Sequence, residues 1–161
     1  MSTASSIWLF QSVHALGLAA WLSIAVINNL QAFAGSAGAI GATMSMAPLR
    51  QAPAVATALL ARALASPALA RCALLLVLAL QIAAAGACWS GAYTLAIGQD
   101  LAAARAALNL AMSGFAAFLF AMHLGGLWFG YWIRQESLQL THIGLLVWSV
   151  AAFLLFNLPL A

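Results

Sequence analysis

The chain carries almost no charge. Its only ionised side chains are five arginines, Asp100 and Glu136, in 161 residues. A soluble domain keeps about a quarter of its residues charged so that its surface can face water. Here 4% are charged and 66% are hydrophobic, which is too little charge to cover a surface of this size, so lipid must be the solvent for most of it. In hydrocarbon each backbone N–H and C=O needs a partner inside the protein, which leaves helices or a closed barrel. No alternating strand pattern is present, so the fold class is an all-α integral membrane protein. The net charge of +3 rests on too few groups to form a basic patch, which excludes nucleic-acid binding.

Four apolar stretches, at 7–33, 67–97, 101–133 and 138–158, are each long enough to cross a hydrocarbon core of about 30 Å. They predict a single membrane domain, a bundle of four transmembrane helices. The residues before Ile7 lack a basic n-region, and the apolar run behind them exceeds an h-region, so it reads as a retained first span. Pro67 suits a helix start. Asp100 suits the N-cap of the third span. The turn Arg134–Ser137 is so short that spans three and four must be antiparallel neighbours. The 34–66 connection is long and apolar, broken by Gly35, Gly38, Gly41, Pro48 and Pro53. It reads as partly helical, with 54–65 a short helix on the surface or against the bundle and the three glycines a flexible turn.

Small residues at four-residue spacing let helix backbones approach closely. Ala15, Ala19 and Ser23 form one such ridge, Ala83, Ala87 and Gly91 another, and Gly126 with Gly130 a third. Cys72 and Cys88 fall on one helix about 24 Å apart, so they cannot pair and read as small apolar fillers.

Buried polar groups within spans are costly and often functional, which singles out the histidines. Two imidazoles could hold a haem. His14 lies on the opposite membrane side from the other two. Counted from the turn near Gln135, His123 lies about 18 Å deep and His142 about 10 Å deep. Unequal levels argue against a shared haem and for separate interhelical hydrogen bonds. Gln81, Asn28, Asn29 and Asn109 are neutral and suit bonds across helix contacts rather than a proton path. Trp128, Phe129, Tyr131 and Trp132 suit an interfacial belt, or the border of a quinone or lipid pocket. No nucleophile–base set, phosphate loop or metal-ligand spacing occurs.

Arg50, Arg62, Arg71 and Arg134 share one side of the predicted bundle and Arg105 the other. The positive-inside rule then puts both termini outside.

The order Asn29, Met44-Ser45-Met46, Arg62-Ala-Leu-Ala-Ser-Pro67, Gly125-Gly126-x-Trp128-Phe129-x-x-Trp132, Gln139 and Leu155-Phe156-Asn157-x-Pro159 resembles an uncharacterised bacterial family of predicted small integral membrane proteins. The chain departs from that pattern at three places where members tend to have acids, here Leu127, Gln81 and Ala47. The resemblance implies four spans in a bacterial inner membrane, with both termini in the cytoplasm, against the arginine count. It implies no activity.

With no catalytic set and hardly any mass outside lipid, the working surfaces are the sides of the bundle. The expectation is a non-catalytic accessory subunit of a larger membrane complex, of the respiratory or another electron-transfer kind. It would need no cofactor of its own, with lipid or quinone bound at its surface and other membrane subunits as partners. The alternatives are a small haem- or quinone-binding carrier using His123, His142, Trp128 or Trp132, and a transporter or channel component.

Overall fold

The computed structural model describes residues 2–158. Four helices are long and apolar enough to span a membrane: α1 (Thr3–Gln31), α4 (Pro67–Ala96), α5 (Leu101–Trp128) and α6 (Glu136–Asn157). Between the first two lie α2 (Phe33–Met44) and the short α3 (Ala47–Arg50). No strand occurs among the described residues. The start signals read from sequence are the ones used. The Asp100 side chain accepts from the Ala103 amide, and Ser66, just before Pro67, accepts from that of Leu69.

The spanning helices form a ring in chain order. α4 packs between α1 and α5, and α5 between α4 and α6. α6 closes the ring on α1 through side chains, with Gln11 donating to the Leu155 carbonyl and Trp148 to His14. Trp21, Phe115 and Trp148 fill the centre, their rings 5.5–5.7 Å apart. The tightest seam is α4 on α5. A Cβ added at Gly91 would lie 2.6 Å from Leu108 Cγ, and one at Gly114 would lie 3.1 Å from Ala84 Cβ. α6 is the peripheral span, with 17% of its apolar window buried against 33–39% in the others.

The packing ridges fall unevenly. Ala15 and Ala19 are fully buried, and Ser23 accepts from the Trp89 indole of α4. Gly91 is buried, Ala87 is half-buried and Ala83 is exposed. The face α4 turns inward is instead Gln81, Ala84, Ala85, Cys88, Gly91 and Ala92. Four-residue spacing marks a ridge but cannot say which of two adjacent alanine rows meets a neighbour. Cys88 donates to the Ala15 carbonyl, and Cys72 is exposed.

The connection departs most from expectation. Gly35, Gly38 and Gly41 lie inside α2 rather than in a flexible turn. Each glycine costs a helix about 1 kcal/mol, yet an open backbone against lipid costs several per group, so the helix persists. After Ala32, α2 runs beside the first half of α4, placing Ala37 with Leu74 and Leu78, and a Cβ added at Gly41 would lie 3.5 Å from Ala70 Cβ. The helix expected at 54–65 is only a 3-10 stretch, Ala58–Arg62. The third span is also shorter than read, because α5 stops at Trp128 and a 3-10 turn, Tyr131–Ile133, follows. The Pro159 end of the last span lies outside the described residues.

Candidate functional site

The site is built where α5 ends. Gly130 adopts a left-handed conformation (φ 66°), which glycine takes at no steric cost. It lets the Phe129 and Gly130 amides close on the last carbonyls of the helix, those of Gly125 and Leu127. The chain then folds back, and the Tyr131 ring lies flat on Gly126. A Cβ there would sit 2.7–2.8 Å from three ring atoms. Gly126 and Gly130 are therefore no interhelical contact motif. One makes room for a ring and the other makes the turn.

Placed so, Tyr131 is buried and its hydroxyl meets two imidazoles. It lies 2.8 Å from His123 Nδ1 on α5 and 3.3 Å from His142 Nδ1 on α6. The phenol stacks on the His142 ring, and the imidazole centroids are 6.3 Å apart, edge to face. The His123 and His142 rings thus lie 6.3 Å apart, closer than the roughly 8 Å difference in depth counted from sequence at helical rise. That count treated 123–133 as continuous helix, whereas the fold-back removes a turn of rise and carries Tyr131 between the rings.

The hydrogen arithmetic constrains the cluster. A phenol has one proton to donate and lone pairs to accept with. With both Nδ1 atoms engaged, one accepts the phenolic proton and the other donates its own N–H to the oxygen. One neutral imidazole then carries its proton on Nδ1 and the other on Nε2. Exchanging the two roles requires more than a shift within the chain, because the ring that gains an Nδ1 proton must release its Nε2 proton and the ring that loses one must take up a proton on Nε2 to stay neutral.

A lid of connection residues covers this end. Leu49 is buried, and its methyl, with that of Leu59, lies 3.3–3.8 Å from where a Gly130 Cβ would be. The Arg62 guanidinium stacks 4.5 Å over the Trp128 ring. Arg134 donates to the Pro53 carbonyl, and Thr43 donates to Gln135 at 3.2 Å. Trp128 and Trp132 stay about half exposed at the rim. Four arginines, two tryptophans and the histidine–tyrosine cluster are thereby gathered at one end of the bundle.

The remaining polar residues pair elsewhere. Asn29 donates to Gln81 at 3.1 Å and accepts from Ser36, joining α1, α4 and α2. Asn109 and Asn157 exchange bonds between α5 and α6 at the opposite end, where Arg105 donates to the Phe156 carbonyl. Asn28 faces outward. His14 accepts from Trp148 at 3.3 Å. No group of three or more His, Cys, Asp and Glu side chains comes together among the described residues.

Sequence reading had all three members of the cluster in hand but missed Tyr131 as its centre, assigning it to an aromatic belt. The available signal was Gly126 five residues before a tyrosine, with Gly130 just before it.

No curated protein matches the chain, and no solved structure does. The family described as predicted small integral membrane protein (DUF2165) matches residues 7–159. Apart from the first turn of α1, the four apolar helices, the glycine-ended third span and the aromatic rim all fall within that match, and the chain belongs to this family of small multi-pass membrane proteins.

Proposed function

We propose that this chain is a non-catalytic structural subunit of a larger membrane assembly, of the electron-transfer kind expected from its sequence. The observation that carries this reading is where its polar groups point. Gln11, Asn29, Gln81, Asn109, Asn157 and the three histidines bond to other side chains or to the backbone within the bundle, while Asn28 faces outward. Ser12 Oγ is the only buried side-chain polar atom without a partner among the described residues. Chemistry turned inward to hold helices together leaves the apolar flanks as the working surface. The flank with the least cover is α6, where Ile143, Val147, Val150 and Leu154 are exposed at helical spacing. Membrane subunits associate through such faces by close packing.

One observation favours a second reading, a small quinone-binding carrier. The His123–Tyr131–His142 chain holds both imidazoles by Nδ1, which leaves Nε2 as the ring nitrogen able to meet a quinone oxygen.

The deciding experiment is gentle-detergent extraction of the tagged chain from its native membrane, with native electrophoresis, mass spectrometry and an absorption spectrum of the same sample. Stoichiometric recovery with a cofactor-bearing complex, weakened by Val147→Trp on α6, is the expected result. Recovery alone or only with copies of itself overturns the subunit reading. Quinone co-extracted with the lone chain and lost in His142→Phe would establish the carrier.

A further inference from the structure

We propose that the groove between α2 and the first turns of α4 binds an anionic phospholipid, one acyl chain lying along the groove and the headgroup phosphate resting on Arg71. The groove has a volume of about 560 Å³. Its walls are apolar and small: Phe33 closes one end, and Ala37, Gly38, Gly41 and Ala70 line the length. From Phe33 to Gly41 it runs roughly 12 Å at helical rise. Its polar groups, Ser45, Ser66 and Arg71, stand together at the other end.

That division of apolar length and polar mouth is the shape of a lipid. The groove exists because two helices meet through glycine and alanine. A Cβ added at Gly41 would lie 3.5 Å from Ala70 Cβ, in van der Waals contact, whereas one added at Gly38 would meet no atom within 4 Å. The concavity beside Gly38 is open to the membrane, where the filler at hand is an acyl chain.

Charge selects the headgroup. The chain has two acids. Asp100 caps α5 at the far end of α4, which leaves Glu136 as the one acid at the end that holds Arg50, Arg62, Arg71 and Arg134. Arg62 lies over Trp128 and Arg134 on the Pro53 carbonyl, while Arg71 is exposed at the groove mouth. A basic side chain beside an interfacial pocket favours an anionic headgroup, and an arginine holds phosphate through paired N–H donors. The site belongs to the lone chain and is independent of the subunit reading.

The test is native mass spectrometry of the purified full chain in detergent, titrated in parallel with phosphatidylglycerol and phosphatidylcholine of the same acyl composition. Wild type is expected to prefer phosphatidylglycerol by about fivefold, the worth of one basic side chain at an anionic surface. Arg71→Gln should remove that preference, and Arg50→Gln should leave it. Gly38→Leu should fill the groove and lower binding of both lipids, while Gly35→Leu, also on α2 but not lining the groove, should not. Circular dichroism establishes that each variant keeps its helices. Equal affinity for the two lipids, or equal losses in Arg50→Gln and Arg71→Gln, overturns the proposal in favour of diffuse surface charge. Unchanged binding in Gly38→Leu overturns the groove. A quinone that displaces bound lipid and binds as well to Arg71→Gln makes the groove a quinone site.

Discussion

At Gly126 the absence of a single methyl group determines how the third span ends. A Cβ there meets the Tyr131 ring at 2.7 Å, so the ring must lift and its hydroxyl must leave at least one imidazole. Gly126→Ala is expected to lower stability by about 1–3 kcal/mol, the usual cost of overpacking. Gly125→Ala, beside which no atom lies within 4 Å, should be neutral or slightly stabilising. Thermal unfolding in detergent distinguishes the two, and equal melting temperatures would contradict the stacking. Tyr131→Phe keeps the ring and removes both hydrogen bonds, an expected loss of about 1–2 kcal/mol in a membrane protein. Because both changes act on the same hydroxyl, the double variant should lose less than the sum; strict additivity in the same melts would separate the glycine from the cluster. The glycines, the tyrosine and the histidines were each visible in sequence. Their meeting was not, because a left-handed turn at Gly130 shifts everything after it relative to a helical count.

At the scale of elements, the interior faces follow from small residues, while their assignment to neighbours follows from geometry. Gly91 lies 2.6 Å, by a placed Cβ, from Leu108. Gly91→Leu should therefore force α4 from α5 and destabilise by about 1–3 kcal/mol or more. Gly86→Leu, outward on the same helix with nothing within 4 Å, should cost nothing measurable by unfolding in detergent. The lid depends on apolar anchoring, since Met46 and Leu49 are 1% and 2% exposed. Leu49→Asp buries a carboxylate without a partner, so the expected outcome is release of residues 45–66 with the spans intact. Limited proteolysis in liposomes should then cut the connection of the variant faster than that of wild type; equal rates would show that the lid is held by other contacts. The helical run through Gly35, Gly38 and Gly41 was illegible in sequence because glycine reads as a breaker in water, whereas lipid penalises an open backbone more than glycine penalises a helix.

For the whole molecule, the arrangement of charge gives an orientation. Four arginines lie at the end formed by the connection and the α5–α6 turn, while the other end has Arg105 among the described residues. The positive-inside rule then predicts that the lid faces the cytoplasm. In a Cys72→Ser background, a membrane-impermeant maleimide should reach Ser5→Cys in intact cells and Ser137→Cys only after permeabilisation. The reverse pattern would place both termini inside, as the family resemblance implies, and would make the arginine cluster an exception to the rule.

The sequence by itself determined the solvent, the helical class and the number of crossings, because the cost of charge and of unpaired backbone in hydrocarbon is set by composition and by the length of each apolar run. It also determined which helix starts are capped, since Ser66 and Asp100 act on amides only three residues away. The tertiary structure decided what lies beside what: Tyr131 between His123 and His142, α2 along α4, and Arg71 at the mouth of a groove. Those placements depend on helix rotation and on a single left-handed residue, and rotation about a helix axis leaves an almost uniformly apolar sequence nearly unchanged in energy until two surfaces of definite shape are packed together.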